Sequence, residues 1–141
     1  MYPAEIVMPM KAELVNQGFE DLNAPELVDQ AMNRPGTTLL VLNSVCGCSA
    51  GTARPGVLMA VQNAQNKPDH LVTSFAGFDI DAVKQARTYL LPYPPSSPCI
   101  ALLKDGQLVH MIERHMIEGR PAQMIAANPI DAFNQHCAVE A

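Results

Sequence analysis

The sequence predicts an α/β fold in which helices cover both faces of a mixed central sheet. Three observations carry that expectation. Apolar runs of strand length alternate with stretches of helical periodicity through the 141 residues. The run Thr37–Asn43 (TTLLVLN) is continuously apolar, the habit of a strand buried on both faces. Two further runs are joined by Asp105-Gly106, the strongest short hairpin signal in the chain. A hydrophobic fraction of 48% against 16% charged is enough to bury a core and excludes a disordered chain.

Each element follows in order. Residues 5–17 form an amphipathic helix, with Ile6, Met10, Leu14 and Val15 at compatible spacing. A brief extended segment, residues 18–22, comes next. Asn23 or Ala24, followed by Pro25, marks a helix start, and that helix stops near Asn33, before Arg34-Pro35-Gly36. After the buried strand, Ala50, Ala53, Val57, Ala60, Val61 and Ala64 lie along one helical stripe that Pro55 kinks early. Residues 70–76 form a second strand. Asp79 or its neighbour caps a helix carrying Ile80, Val83, Ala86 and Leu90. Residues 92–98, with four prolines, form a rigid loop leading into the hairpin strands Cys99–Lys104 and Gln107–Ile112. A last helix begins near Pro121 and carries Met124, Ile125 and Phe133, with Pro129 expected to bend or split it. No repeat or low-complexity tract divides the chain, which reads as one unit.

Charge and length exclude several functions. Nine Lys and Arg against fourteen Asp and Glu give a net charge of −5, which leaves no cationic excess for a nucleic-acid backbone or an anionic membrane surface. No apolar stretch approaches the roughly 20 residues that span a bilayer, and the first residues lack the basic and apolar regions of a secretory signal. The expected compartment is the cytoplasm. In that reducing setting Cys46, Cys48, Cys99 and Cys137 are not expected to form a disulfide framework.

The pair Cys46-Gly47-Cys48 falls in the turn from the buried strand into a helix, and this position determines its chemistry. A helix start presents unpaired backbone N–H groups and a partial positive charge. A thiolate there is stabilised over its thiol and attacks disulfides faster at neutral pH. Cys46, at the edge of the turn, is the expected nucleophile, and Cys48, in the first helical turn, the resolving or leaving thiol. Gly47 permits close approach of a substrate backbone and whatever φ the turn requires. Arg54, early in the helix, either adds positive potential or is a solvated surface residue. With one residue between the sulfurs, an internal disulfide closes a tight ring. The pair therefore favours exchange, isomerisation or removal of a small thiol over bulk reduction of stable disulfides.

The stretch VLNSVCGCSAGTARP (residues 41–55) resembles the bacilliredoxin family, thioredoxin-fold proteins with a Cys-Gly-Cys site. So do YPPSSP (93–98), IALLKDG (100–106), HMIERH (110–115) and IEGR (117–120), so the likeness covers nearly the whole chain. It implies a single thioredoxin-like domain over residues 1–141, with residues 1–22 as an N-terminal extension packing on it. It further implies thiol–disulfide exchange on S-thiolated client proteins, removal of a small thiol such as bacillithiol or an analogue, and disulfide isomerase activity. On this likeness Cys46 attacks and takes up the small thiol, and Cys48 serves in resolution or an internal disulfide. Pro98 matches the family's cis-proline beside the active cysteines, and Ser97 would offer backbone groups to a substrate chain. No cofactor is implied. Cys99 departs from the pattern, standing where serine is expected.

Other readings compete. A Cys-x-Cys pair can bind Cu(I) or zinc, and zinc would require two more ligands from Cys99, Cys137 or a histidine. A redox-inert interaction domain is a third. Gly47, Ser49 and Gly51 argue against the cysteines being core-filling residues. Cys99, at the start of an apolar strand, reads as buried and inert, and Cys137 as partly exposed and incidental, or as a resolving thiol. His70, His110, His115 and His136 lack metal-ligand spacing, and His110 and His115, flanking a strand and its exit, read as hydrogen-bonded or surface residues. Glu113 and Arg114 read as a solvated strand edge. Met8, Met10, Met59, Met111, Met116 and Met124 read as core filler.

Overall fold

Strand β2 (Thr37–Asn43) is buried at every residue, as its unbroken apolar run predicts. In this computed structural model, which describes residues 2–47 and 49–137, the sheet is built outward from that strand. On one side β2 pairs in parallel with β3 (His70–Phe75), which pairs in parallel with the two-residue β1 (Glu20–Asp21). On the other side it pairs antiparallel with β4 (Cys99–Lys104), and β4 pairs antiparallel with β5 (Gln107–Ile112). The order is β1-β3-β2-β4-β5, a mixed sheet. Asp105 and Gly106 turn the hairpin with φ of 51° and 82°, the left-handed pair that a tight two-residue connection requires.

Side chains of a strand alternate between faces, so β2 and β4 each feed two cores. Leu39, Val41, Ile100 and Leu102 pack with residues of α1 (Ala4–Val15), α3 (Arg54–Asn63) and α6 (Ala122–His136). Leu40, Leu42, Cys99 and Leu103 pack with residues of α2 (Pro25–Met32) and α4 (Ile80–Thr88). Gly56 lets α3 lie close on α6, since a Cβ there would stand 2.8 Å from the Cβ of Ile125. A short helix α5 (Arg114–Ile117), not expected from the sequence, joins β5 to the last segment.

Several expectations are corrected. The buried face of α1 is Val7, Lys11 and Leu14, and Ile6 is exposed. The periodicity of apolar residues misleads because a charged residue occupies the centre of that face. Lys11 Nζ is buried and pairs with Asp21 Oδ1 at 2.9 Å and Asp79 Oδ2 at 2.8 Å, so the ion is compensated where it loses water. Asp79 does stand at the N-cap of α4, but its carboxylate accepts from Lys11 and from the N–H of Phe75 and makes no side-chain cap bond. Ile80, Met8 and Met124 are exposed rather than core residues. Pro129 does not split α6, which runs unbroken from Ala122 to His136 with that proline buried.

Candidate active site

The chain leaves β2 toward α3 on one face of the sheet and leaves β3 toward α4 on the other. A crevice opens where the two exits diverge, the position at which open α/β sheets hold ligands. Ser44, Val45 and Cys46 line it after β2, Ala76 and Gly77 after β3, and Ser97 just before β4. The cleft is open and encloses about 490 Å³.

Cys46 is half-buried in this cleft. Its carbonyl accepts the N–H of Ser49 at 2.9 Å and of Ala50 at 3.2 Å, and Gly47 is already helical. Cys46 therefore stands where the strand exit becomes a helix, with its carbonyl taking the first intrahelical bonds, as an N-cap does. Residues Ser49–Ala53 form a π-helical turn that continues into α3, where Pro55 lies in the first turn. Proline has no N–H to return to the preceding turn, and the wide turn sits directly before it, so the segment widens instead of kinking midway. Cys48 lies outside the described residues. A Cβ on Gly47 would meet no heavy atom within 4 Å, so the space above it is open to a substrate. Its backbone is not in the left-handed region, so conformational freedom is not what glycine contributes here.

Arg54 is not a solvated surface residue: it is 1% exposed and lies beneath the cysteine turn. Its Nη1 donates to Asn43 Oδ1 at 2.8 Å, Ser44 O at 2.9 Å and Ser49 Oγ at 3.1 Å, and its Nη2 meets Glu13 Oε2 at 3.1 Å. Asn43 Oδ1 also accepts from the N–H of Ser44 and the hydroxyl of Ser49, and Ser44 Oγ accepts the N–H of Cys46 at 3.1 Å. One buried guanidinium thus ties the end of β2, the cysteine turn and the start of the helix into one network. Asn43 and Ser44 were not singled out in the sequence, and Ser49 only as a turn residue. The available signal was a pair of short polar side chains, Asn-Ser, closing an apolar run, since such residues bond nearby backbone at turns.

The Ser97–Pro98 peptide is cis, as the resemblance implied. Register places it at the exit of β2, because Cys99 opposes Leu42 across β2 and β4, and Ser97 lines the same cleft as Cys46. Arg87 of α4 and Arg114 of α5 hold this loop: Arg87 Nη1 donates to Ser96 O at 3.1 Å and Arg114 Nη1 to Ser97 O at 3.3 Å. Both arginines also line the cleft. Arg114 is therefore more than a solvated strand edge, and Arg87 carried no sequence signal, since folding alone brings it to Cys46.

The other cysteines sit elsewhere. Cys99 is fully buried among the α2 and α4 contacts, and desolvation pushes its thiol up to about 12. Cys137 is half-buried beside Thr37, with its pKa raised mainly by desolvation. Thr37 begins β2 and Cys46 follows its end, so about 20 Å of strand separates Cys137 from the cleft. Cys137 is thus in no position to resolve a bond at Cys46. His110 Nε2 lies 2.6 Å from Asn128 Oδ1, hydrogen-bonded as expected, and His70 Nε2 lies 3.2 Å from Pro35 O. Among the described residues no group of three or more His, Cys, Asp or Glu side chains is placed to hold a metal ion.

Comparison with known proteins fits this geometry. The family model described as disulphide isomerase matches residues 2–137. A bacilliredoxin of Cytophaga hutchinsonii is 59% identical over 128 residues, covering 91% of this chain and 94% of that protein. A bacilliredoxin of Bacillus cereus strain ZK is 51% identical over 137 residues, covering 96% and 95%. Among solved structures, the oxidised thioredoxin of Plasmodium falciparum superposes with a TM-score of 0.58 at 11% identity, covering 86% of this chain and all of that one, so the fold is thioredoxin-like.

Proposed function

This chain belongs to the disulphide isomerase family and is a thiol–disulfide oxidoreductase, and we propose that it removes a low-molecular-weight thiol from S-thiolated client proteins through Cys46. The observation that carries this reading is the position of Cys46: at a helix start, in an open cleft, beside the cis Ser97–Pro98 peptide. The positive end of a helix dipole favours a thiolate over a thiol.

In the proposed reaction the Cys46 thiolate attacks the small-thiol sulfur of a client mixed disulfide. The new bond joins Cys46 to the small thiol, and the client leaves as a thiolate, with no net oxidation. Attack by Cys48 on Cys46 then releases the small thiol and leaves a Cys46–Cys48 disulfide. The small thiol would be bacillithiol or an analogue, and the same exchange between two client cysteines would be isomerisation. Gly47 leaves room for the incoming disulfide, and the backbone at Ser97 and Pro98 is where a client segment would lie as an added strand. Arg54 supports the site by holding the turn that presents Cys46. The cytoplasm is the proposed compartment. No helix of the described residues is long and apolar enough to cross a membrane.

Reduced protein incubated with an S-thiolated client tests the reading. Cys46→Ala should abolish transfer, and Cys48→Ala should trap the small thiol on Cys46, read by mass spectrometry of the intact protein and its peptides. An adduct on Cys48 in the Cys46→Ala protein, formed at the wild-type rate, would overturn the assignment.

A further inference from the structure

We propose that Arg87 and Arg114 form an anion-receiving subsite in the Cys46 cleft, so that the protein selects small thiols bearing carboxylate or phosphate groups. The inference rests on the exchange reaction above and names the chemistry of its small thiol. The protein carries a net charge of −5, yet the described side chains lining this cleft include two arginines and no acid. Arg114 is ion-paired with Glu118, while Arg87 makes no ion pair among the described residues, so the cleft is cationic chiefly through Arg87 and its field favours an anion.

Both guanidinium groups are fixed rather than left to wander. Arg87 Nη1 is anchored on Ser96 O and Arg114 Nη1 on Ser97 O, while Arg114 Nε pairs with Glu118. A guanidinium has five N–H donors in a planar fork, so the single bond to Ser96 orients Arg87 and leaves it able to hold an anion as well, with Arg114 lining the same cleft. The anchors lie on the two residues before Pro98, so the cations stand at the loop that faces Cys46. The ring of Tyr2, whose N–H donates to Gly77 O at 3.1 Å, forms another part of the wall. About 490 Å³ suits a molecule the size of a tripeptide, larger than a single cysteine.

The occupant is the small thiol, not the client, because Cys46 bonds to the small-thiol sulfur. When the thiolate of Cys46 attacks, the S–S bond to the client breaks and one S–S bond to the small thiol forms. The electron pair departs on the client sulfur, and the rest of the small thiol comes to lie in the cleft. Arg87 and Arg114 are thus specificity residues: they act on the attached group and leave the balance of the exchange unchanged.

The test compares one client protein capped with glutathione, with glutathione diethyl ester, or with coenzyme A, and measures transfer to reduced protein. Glutathione and its ester have the same thiol and nearly the same size but differ in carboxylate charge. Wild type should prefer glutathione by about tenfold or more, the scale of hydrogen bonds to a charged group. That ratio should shrink as salt is raised. The glutathione-to-ester ratio should fall about tenfold in Arg87→Gln and recover largely in Arg87→Lys, with Arg114→Gln acting in the same direction. The coenzyme A cap separates the two anions: transfer at the ester's rate assigns the subsite to carboxylates, and transfer at or above the glutathione rate assigns it to phosphates. Equal wild-type rates for glutathione and its ester would overturn the subsite, as would a Gln variant, folded by circular dichroism, that slows both equally. Loss of transfer from every cap in wild type would instead bring down the exchange reading, and the subsite with it.

Discussion

Cys46 and Cys99 lie at the same end of the sheet, one just beyond β2 and the other opposite Leu42 at the first residue of β4, yet their surroundings are opposed. Cys46 follows a strand that has run out of pairing partners; its carbonyl is taken by the first helical amides and its residue lines an open cleft. Cys99 is inside the ladder on the α2 and α4 face, fully buried, with its thiol held neutral by the loss of water. The same residue type, a few residues from the same corner, lines an open cleft in one place and is packed as a small apolar group in the other. What differs between the two is the surroundings, an open cleft at a helix start against a hydrocarbon interior, and burial of the second kind raises a thiol's pKa.

Native alkylation gives the widest contrast. At pH 8 a thiol of pKa about 12 is ionised to roughly one part in ten thousand, and burial excludes reagent as well. Peptide mapping after a short maleimide pulse should show Cys46 modified and Cys99 unmodified until the protein is unfolded. Equal labelling of the two would erase the distinction.

The networks below the two cysteines should differ next. Arg54→Met strips the donors from Asn43, Ser44 and Ser49 and should cost about 3 kcal/mol, measured by urea unfolding, because buried polar groups lose a charged partner. It should also slow transfer by Cys46, whose turn it holds. Cys99→Ala leaves a cavity of one sulfur, should cost about 1 kcal/mol, and should leave transfer within about twofold of wild type.

A pH dependence sharpens the same contrast with a smaller effect. Below pH 9 Cys99 is a neutral thiol in folded and unfolded chains alike. Above that, the unfolded chain ionises near its ordinary value of 9.0 while the folded one waits until about 12, so stability is lost as pH rises through that window. By pH 10 this contribution should be about 1 kcal/mol, and Cys99→Ala should remove it from the slope of unfolding free energy against pH.

Much of this was legible in the residues. The buried strand Thr37–Asn43, the hairpin over Asp105 and Gly106, and the rigid proline loop emerged where periodicity and turn chemistry placed them. Local backbone preference decides such features, and local preference is written in short stretches. Amphipathic faces were less legible when a charge stood in the apolar stripe. Lys11 occupies the buried centre of α1 because Asp21 and Asp79, from elsewhere in the chain, compensate it. Arg54 is hidden for a similar reason, since no spacing rule announces that Asn43, Ser44 and Glu13 will meet a guanidinium under the cysteine turn.

The sequence by itself determined the α/β order, Cys46 at a strand-to-helix turn and the proline that precedes β4. These depend on neighbours along the chain, whose distances are set by covalent geometry. Only the tertiary structure decided that Arg87 and Arg114 stand in the cleft with Cys46, that Arg54 lies beneath it, and that Cys137 is at the far end of β2. Those placements depend on how strands cross over within the sheet, and the electric field at a sulfur sums over charges by distance in space, whatever their separation in sequence.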